Sequence, residues 1–259
     1  MAAAAMDLID RIAQTNRWSR RHPAEKLMLG GGLLLLSLIL PAIPAAPLVL
    51  LAAASAVLVG ARVSVRDYLA ILAAPLAFLA LGAVVLAVSV QPDAGAPWLA
   101  ASTDSIATAA AVTLRALAAV ASLLLIVMTV PLTALLRQAH RLRVPAPIIE
   151  IAVMMYRFIM LAFGMAARGQ QAQANRLGYR DIRRAIRSSG LLAATLLPRL
   201  LDRGRRMEIG LSTRACTGEL RTLAPAVALS PAFLSGAVAL HASIAAVTVA
   251  WVTLVPSPA

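Results

Sequence analysis

Two arginines, Arg176 and Arg214, stand where a single guanidinium could be offered to a partner. The first lies in AQANRLGYR, two residues before Gly178, and the second in GLSTRACTGELR, four residues before Gly218. In each, one Arg sits near the close of a long helical pattern and is followed by a Gly-containing turn of the kind that ends helices. Arg keeps its charge at any ordinary pH, and its planar fork can hold a carboxylate through two hydrogen bonds. Two such heads, thirty-eight residues apart, could enter acidic grooves on two copies, or two subunits, of a partner. The plainer role is compensation of the helix C-terminal dipole, worth about 0.3–1 kcal/mol each.

Other chemistry is thinly provided for. The sequence has no G-x-x-x-x-G-K-[ST] phosphate loop, no H-E-x-x-H and no G-x-S-x-G. Its one cysteine, Cys216, excludes an internal disulfide, and its three histidines (His22, His140, His241) lack ligand spacing. Nine methionines are scattered and read as adaptable packing rather than a soft-metal path. Arg115 and His241 fall inside apolar runs, where an ionisable group is a functional candidate by default; the plainer role is a carbonyl or a bundle neighbour as partner. No catalytic residue, metal site or cofactor is therefore expected. An intramembrane enzyme would need converging Asp, His or Ser groups, and a metal-binding membrane protein would need acid or His clusters, where only Asp93 and Asp104 are available. A membrane-tethered RNA or lipid-headgroup binder would use the basic helices, with an affinity that collapses in salt.

The elements that must position the two arginines are membrane elements. The chain is 61% hydrophobic and 4% aromatic, with a mean hydropathy of +0.83, a composition of membrane spans rather than of a soluble domain. The net charge of +13 follows from basic cytoplasmic loops, and no nucleic-acid partner is expected because the basic segment lacks interleaved aromatics. The N-terminus carries Asp7 and Asp10 and no apolar core, so the first span, not a cleaved leader, is the expected insertion signal. Spans are expected at Leu27–Leu40, Leu48–Ala61, Tyr68–Val90 (with a kink at Pro75) and Ser105–Val130. Basic flanks at 17–26, 62–66 and 137–143 alternate with neutral or acidic loops at 41–47 and 91–104. That alternation places the N-terminus in the cytoplasm.

The stretch 145–165 has basic flanks on both sides and carries Glu150 and Arg157, costly at mid-bilayer. It reads as a helix at the membrane surface or against a partner, a true crossing being the alternative. An Arg-rich segment follows: residues 165–221 hold twelve arginines and four acidic residues. One amphipathic helix continues to about Arg176. A second, capped by Asp181, runs to about Arg214 with weak points at Gly190 and Pro198. Leu196, Leu197, Leu200, Leu201 and Gly204 make its apolar stripe. A last span from Leu223, more surely Pro231, to Leu254 exits to an uncharged, external C-terminus. The expected fold is an all-α membrane protein of about five transmembrane helices plus long cytoplasmic amphipathic helices. Its parts are a four-span bundle with its N-terminal arm (1–130), the cytoplasmic or interfacial helices (131–222) and a C-terminal span (223–259).

The segments LIDRIAQTNRWSRRHPAEKL, RLRVPAPIIEIAVMMYRFI and QANRLGYRDIRRAIRSSGLLAATLLPRLLDRGRRMEIGLSTRACTGEL resemble the transmembrane T component of energy-coupling factor (ECF) transporters, most of all its cobalt/nickel (CbiQ-like) branch. The resemblance covers nearly the whole chain. It implies two X-Arg-X motifs at the ends of coupling helices that dock on a pair of ABC-type ATPases, here Asn175-Arg176-Leu177 and Thr213-Arg214-Ala215. Neither is the common Ala-Arg-Gly; that triplet does occur at Ala167-Arg168-Gly169, but QQAQANRLGYR matches the family block better. Glu150, Tyr156 and Arg157 are the implied contacts to the membrane-embedded substrate-binding (S) component, which can carry a small accessory membrane subunit. The resemblance further implies cobalt or nickel uptake, or service to a vitamin or other micronutrient S component, by a multi-pass protein of the cell inner membrane. ATP closure of the ATPases would move the coupling helices, and the S component would tilt and release its metal inward.

Overall fold

Helices make up nearly all of the computed structural model, which describes residues 2–90, 99–100, 103–141, 143–214 and 227–254. They are α1 (Ala2–Thr15), α2 (Pro23–Ile39), α3 (Ala42–Ser55, continued by a π turn, Ala56–Gly60), α4 (Val65–Ala87), α5 (Thr103–Thr129), α6 (Leu132–Arg141), α7 (Ala146–Ala174), α8 (Ile182–Ser212) and α9 (Pro231–Leu254). Between α4 and α5 a two-residue antiparallel ladder pairs Ser89 with Ala100 and Val90 with Leu99. Five helices are long and apolar enough to cross a membrane: Ala42–Gly60, Val65–Ala87, Thr103–Thr129, Ala146–Ala174 and Pro231–Leu254. The protein is an all-α, multi-pass membrane protein. The membership of the five differs from the expectation in one respect. α2 has only 17 residues, whereas α7 is one unbroken helix of 29, so that by length and composition α7 qualifies to cross.

The chain divides into two units, Leu8–Ala134 with Ala226–Ala259, and Met1–Asp7 with Leu135–Pro225. The first is a helical bundle centred on α5, which packs against α2, α3 and α4. Small residues let the backbones approach: Ala118, Ala121 and Ser122 of α5 are buried. A Cβ on Gly30 of α2 would come within 2.5 Å of Ile126. On its other side α2 meets α9, where a Cβ on Gly32 would strike the His241 ring at 2.4 Å.

Two cations bracket the α2–α5 pair. Lys26 Nζ, in the first turn of α2, donates to Thr129 O at the end of α5 (2.8 Å). Arg115 Nη2, inside α5, donates to Leu40 O just past the end of α2 (2.8 Å). Each helix thus brings a cation to the carbonyl end of the other, where the helix dipole is negative and carbonyls lack intrahelical donors. The arm ahead of α2 is held to the same end of the bundle as Lys26. Asn16 Nδ2 donates to Met128 O (3.1 Å), and Trp18 lies so close to Gly60 that a Cβ there would come within 2.4 Å. Trp18 also stacks edge-on against Phe233 at 5.4 Å, and Arg21 lies over the same ring at 4.7 Å. Glu25 Oε1 accepts from Ser230 N (2.5 Å), so a carboxylate of α2 meets an orphan donor at the start of α9.

The second unit is a hairpin of α7 and α8. The two run antiparallel: Gly169 packs on Leu192, and Gly204 on Phe158. The inward stripe of α8 passes from Leu192 through Leu196, Leu200 and Gly204 to Met207 and Leu211, all half-buried, at the i, i+4 and i, i+3 steps of a helix face. Leu197 and Leu201, expected on that stripe, are instead exposed, because one residue's step turns a side chain by about 100°. α8 runs unbroken through Gly190 and Pro198. Asp181 occupies the N-cap position without a side-chain cap bond and pairs with Arg184 Nε at 3.1 Å instead. α4 likewise passes Pro75 as a continuous helix.

Candidate docking sites on the helical hairpin

The turn from α7 into α8 is tied by hydrogen bonds that leave the Arg176 side chain outside. Leu177 takes a left-handed conformation (φ 58), which lets the backbone reverse after α7 in the manner of an αL cap. Gly178 N then donates to Gln173 O (2.9 Å). Gln173 Nε2 donates to Ser188 O (3.0 Å) and its Oε1 accepts from the Tyr179 hydroxyl (2.7 Å). Ser188 Oγ donates to Gly178 O (2.9 Å), and Arg176 N to Gln173 O (3.1 Å). A Cβ on Gly178 would sit 2.9 Å from both Gln173 O and Ser188 Oγ, so the knot closes only around glycine. Asn175 and Arg176 are exposed, and Leu177 is 61% exposed. All three present themselves at the tip of a braced elbow.

Arg214 ends the other helix. Thr213 is the C-cap of α8, its hydroxyl donates to Gly210 O (3.1 Å), and Arg214 N donates to Leu211 O (3.1 Å). Both residues are exposed; Ala215 lies outside the described residues. The two arginines are not brought together. α8 has 31 residues, roughly 46 Å at 1.5 Å per residue, and Arg176 and Arg214 flank its opposite ends. Ala167-Arg168-Gly169 lies inside α7, with Gly169 packed on Leu192, and forms no helix end.

Arg157 and Arg214, the implied contacts of two different partners, line one groove. It has a volume of about 700 Å³ between Phe158, Leu161, Met207 and Leu211, and Arg203 and Arg206 complete its cationic rim. Arg206 is paired with Asp202. The i, i+3 placement of Arg203 and Arg206 beside Gly204 and Met207 is legible in the sequence, but the arginine of α7 that joins them is set by how the two helices pack. Glu150 and Tyr156 are half-buried on α7, and no ion pair joins Glu150 to Arg157 among the described residues. The described residues contain no group of three or more His, Cys, Asp or Glu able to hold a metal ion.

Within the bundle, burial pulls the Lys26 ammonium down to about 8, with Glu25 opposing and Arg21 reinforcing the shift. Lys26 precedes the apolar run that begins at Leu27. His241 Nε2 lies 3.1 Å from Leu29 O, and Arg115 reaches the Leu40 carbonyl. Both ionisable groups of the apolar runs therefore have backbone partners.

These features define a class: a multi-pass helical membrane protein carrying an Arg-rich helical hairpin. The family model described as CbiQ, cobalt transport protein, matches residues 15–223, and the chain belongs to that family. It is 42% identical over 238 residues to the cobalt transport protein CbiQ of Rhodobacter capsulatus, covering 92% of this chain and 96% of that one. To the CbiQ of Salmonella typhimurium it is 25% identical over 221 residues, 82% of this chain and 97% of the other. A Methanocorpusculum labreanum protein provisionally named fused cobalt transport protein CbiMQ is 30% identical over 171 residues, 63% of this chain and 28% of that longer one. The chain is a membrane component of cobalt transport.

Proposed function

We propose that this chain is the coupling subunit of an energy-coupling-factor importer. It passes the ATP-driven motion of a cytoplasmic ATPase pair to a metal-binding membrane partner that takes up cobalt or nickel. The observation that carries the reading is the placement of Arg176 and Arg214, each exposed at the C-terminal end of one helix of an antiparallel pair. Two heads roughly 46 Å apart along α8 suit two separate acceptors, as a pair of like ATPases would offer. Each guanidinium would enter an acidic groove with Asn175 and Leu177, or Thr213 and Ala215, at its rim. ATP hydrolysis belongs to the partner.

Neither helix of the hairpin has a fully buried side chain, so its apolar surface is in keeping with cover by other molecules. α7 exposes Ile148, Ile151, Met155 and Ile159 at steps of three and four residues, a stripe suited to helices of the substrate-binding partner, with Glu150, Tyr156 and Arg157 beside it. The fused name of the Methanocorpusculum relative is in keeping with a membrane partner held in fixed association. The charge alternation supports a cytoplasmic N-terminus, an external C-terminus and functional parts at 1–130, 131–222 and 223–259. Closure of the ATPases on ATP would shift the hairpin by as much as its closed and open states differ in affinity for the two arginines. The braced elbow would carry that shift from the end of α7 into α8 without bending.

Reconstitution into vesicles with a candidate ATPase pair and membrane partner tests this. ATP-dependent uptake of radioactive cobalt or nickel is expected to fall to background when this chain is left out. Uptake at full rate without the chain would overturn the reading, and ATP-driven uptake of a vitamin in place of either metal would redirect it to another micronutrient.

A further inference from the structure

The seam between α7 and α8 joins two opposite chemistries. Its floor is apolar, made by Phe158 and Leu161 from α7 and Met207 and Leu211 from α8. Its rim holds four arginines and no acid, and an adjoining cleft of about 380 Å³ shares Leu161, Arg203 and Arg206 and adds Arg168 and Arg199. The acid of that cleft, Asp202, is already engaged by Arg206. Among the described residues Arg157, Arg203 and Arg214 have no acidic partner. Crowding uncompensated guanidinium groups is unfavourable unless an anion joins them, and their fork geometry suits phosphate as well as carboxylate.

We infer that this seam binds an anionic phospholipid, its phosphate held by Arg157 and Arg203, with Arg206 sharing its guanidinium between Asp202 and the phosphate, and its acyl chain laid along Phe158, Leu161, Met207 and Leu211. A free anion would use only the rim and leave the apolar floor in water. The groove is about 700 Å³. The volume lies within the range of about 300–1,000 Å³ usual for small-molecule sites. α7 is long and apolar enough to lie in a membrane, and no side chain of either helix is fully buried. Lipid would thus reach the seam directly. The site is independent of the proposed function except at Arg214, offered there to an ATPase, and Arg157, offered there to the membrane partner.

The test uses the full chain purified in an uncharged detergent, titrated with phosphatidylglycerol, phosphatidylcholine or inorganic phosphate. Unfolding temperature and bound-lipid mass are the readouts. Phosphatidylglycerol is expected to raise the unfolding temperature saturably, through preferential binding to the folded state, and the other two are not. Arg203→Gln with Arg206→Gln should weaken phosphatidylglycerol about tenfold or more, the scale of losing one charged hydrogen bond. Arg183→Gln with Arg187→Gln, which removes equal charge elsewhere on α8, should leave it unchanged. If the Gln pair does not fold, Arg203→Lys with Arg206→Lys keeps the charge, loses the fork and should give a smaller weakening. Equal losses in the Gln pair and the control pair would overturn the site in favour of diffuse surface charge. Saturation by inorganic phosphate at the same concentration would reduce it to a bare anion site. Indifference to phosphatidylglycerol, with the rim shielded from an arginine reagent only when protein partners are added, would make it a protein interface and end the lipid proposal.

Discussion

Lys26, buried at the head of α2, and Arg115, inside α5, put cations where burial makes charge costly, and each is used by the neighbouring helix rather than by a substrate. Lys26 is 1% exposed and is the single lysine of the chain, which makes its titration separable from that of the arginines. Its pKa is lowered from 10.5 to about 8 on folding. The unfolded chain therefore binds more protons than the folded one between about pH 8 and 10.5. The favourable contribution is full above 10.5 and lost as pH falls through 8. The unfolding temperature in detergent is expected to rise as pH goes from 7.5 to 9.5, and Lys26→Met should remove that rise. An equal rise in the variant would refute the assignment. An intramembrane Arg or His is a functional candidate on sequence grounds, and only the geometry supplies its carbonyl: Leu40 lies seventy-five residues from Arg115, and Leu29 more than two hundred from His241. No local spacing carries such information.

At the scale of elements, α2 is held on one side by Gly30 against α5 and on the other by Gly32 against His241 of α9. Gly32→Ala is expected to destabilise the bundle by about 1–3 kcal/mol, the usual cost of overpacking, seen as a lowered unfolding temperature. Adding His241→Ala should restore part of the loss by making room. A double variant no better than the sum of the two singles would show that the two side chains do not meet. Helix positions were legible from hydrophobic runs and charge breaks: α5 and α9 end where the pattern says, and α7 continues through the Arg-rich onset. The local breakers did not end the runs. Pro75 and Pro198 each remove one donor, yet the helices containing them continue; neighbouring turns and side chains absorb such a loss. Asp181 could cap or pair, and with Arg184 one turn away it pairs. The short α6, between two Pro-containing junctions, has too few apolar residues to announce itself.

Over the whole molecule, the long apolar runs carried most of the fold, and the family shown by the matched relatives agrees with what the Arg-rich blocks resemble. The hairpin is where sequence reading gave half the picture. The first of its helix-end arginines could be found from the turn chemistry around Gly178, and the second from the close of the helical pattern at Thr213, Gly218 lying outside the described residues. The groove uniting Arg157 with Arg203, Arg206 and Arg214 could not, because it depends on which residues of α7 meet which of α8. The central claim is that Arg176 and Arg214 serve two separate docking points, and it is tested most directly by retention of an ATPase pair on the detergent-purified chain. Reversing one buried charge contact costs about 2–5 kcal/mol, so Arg176→Glu and Arg214→Glu singly should each weaken retention more than tenfold at one point while leaving the other. The double variant should lose the ATPase with its unfolding temperature unchanged. A folded double variant that retains the ATPase as the unaltered chain does would contradict the account and return both arginines to helix-end chemistry.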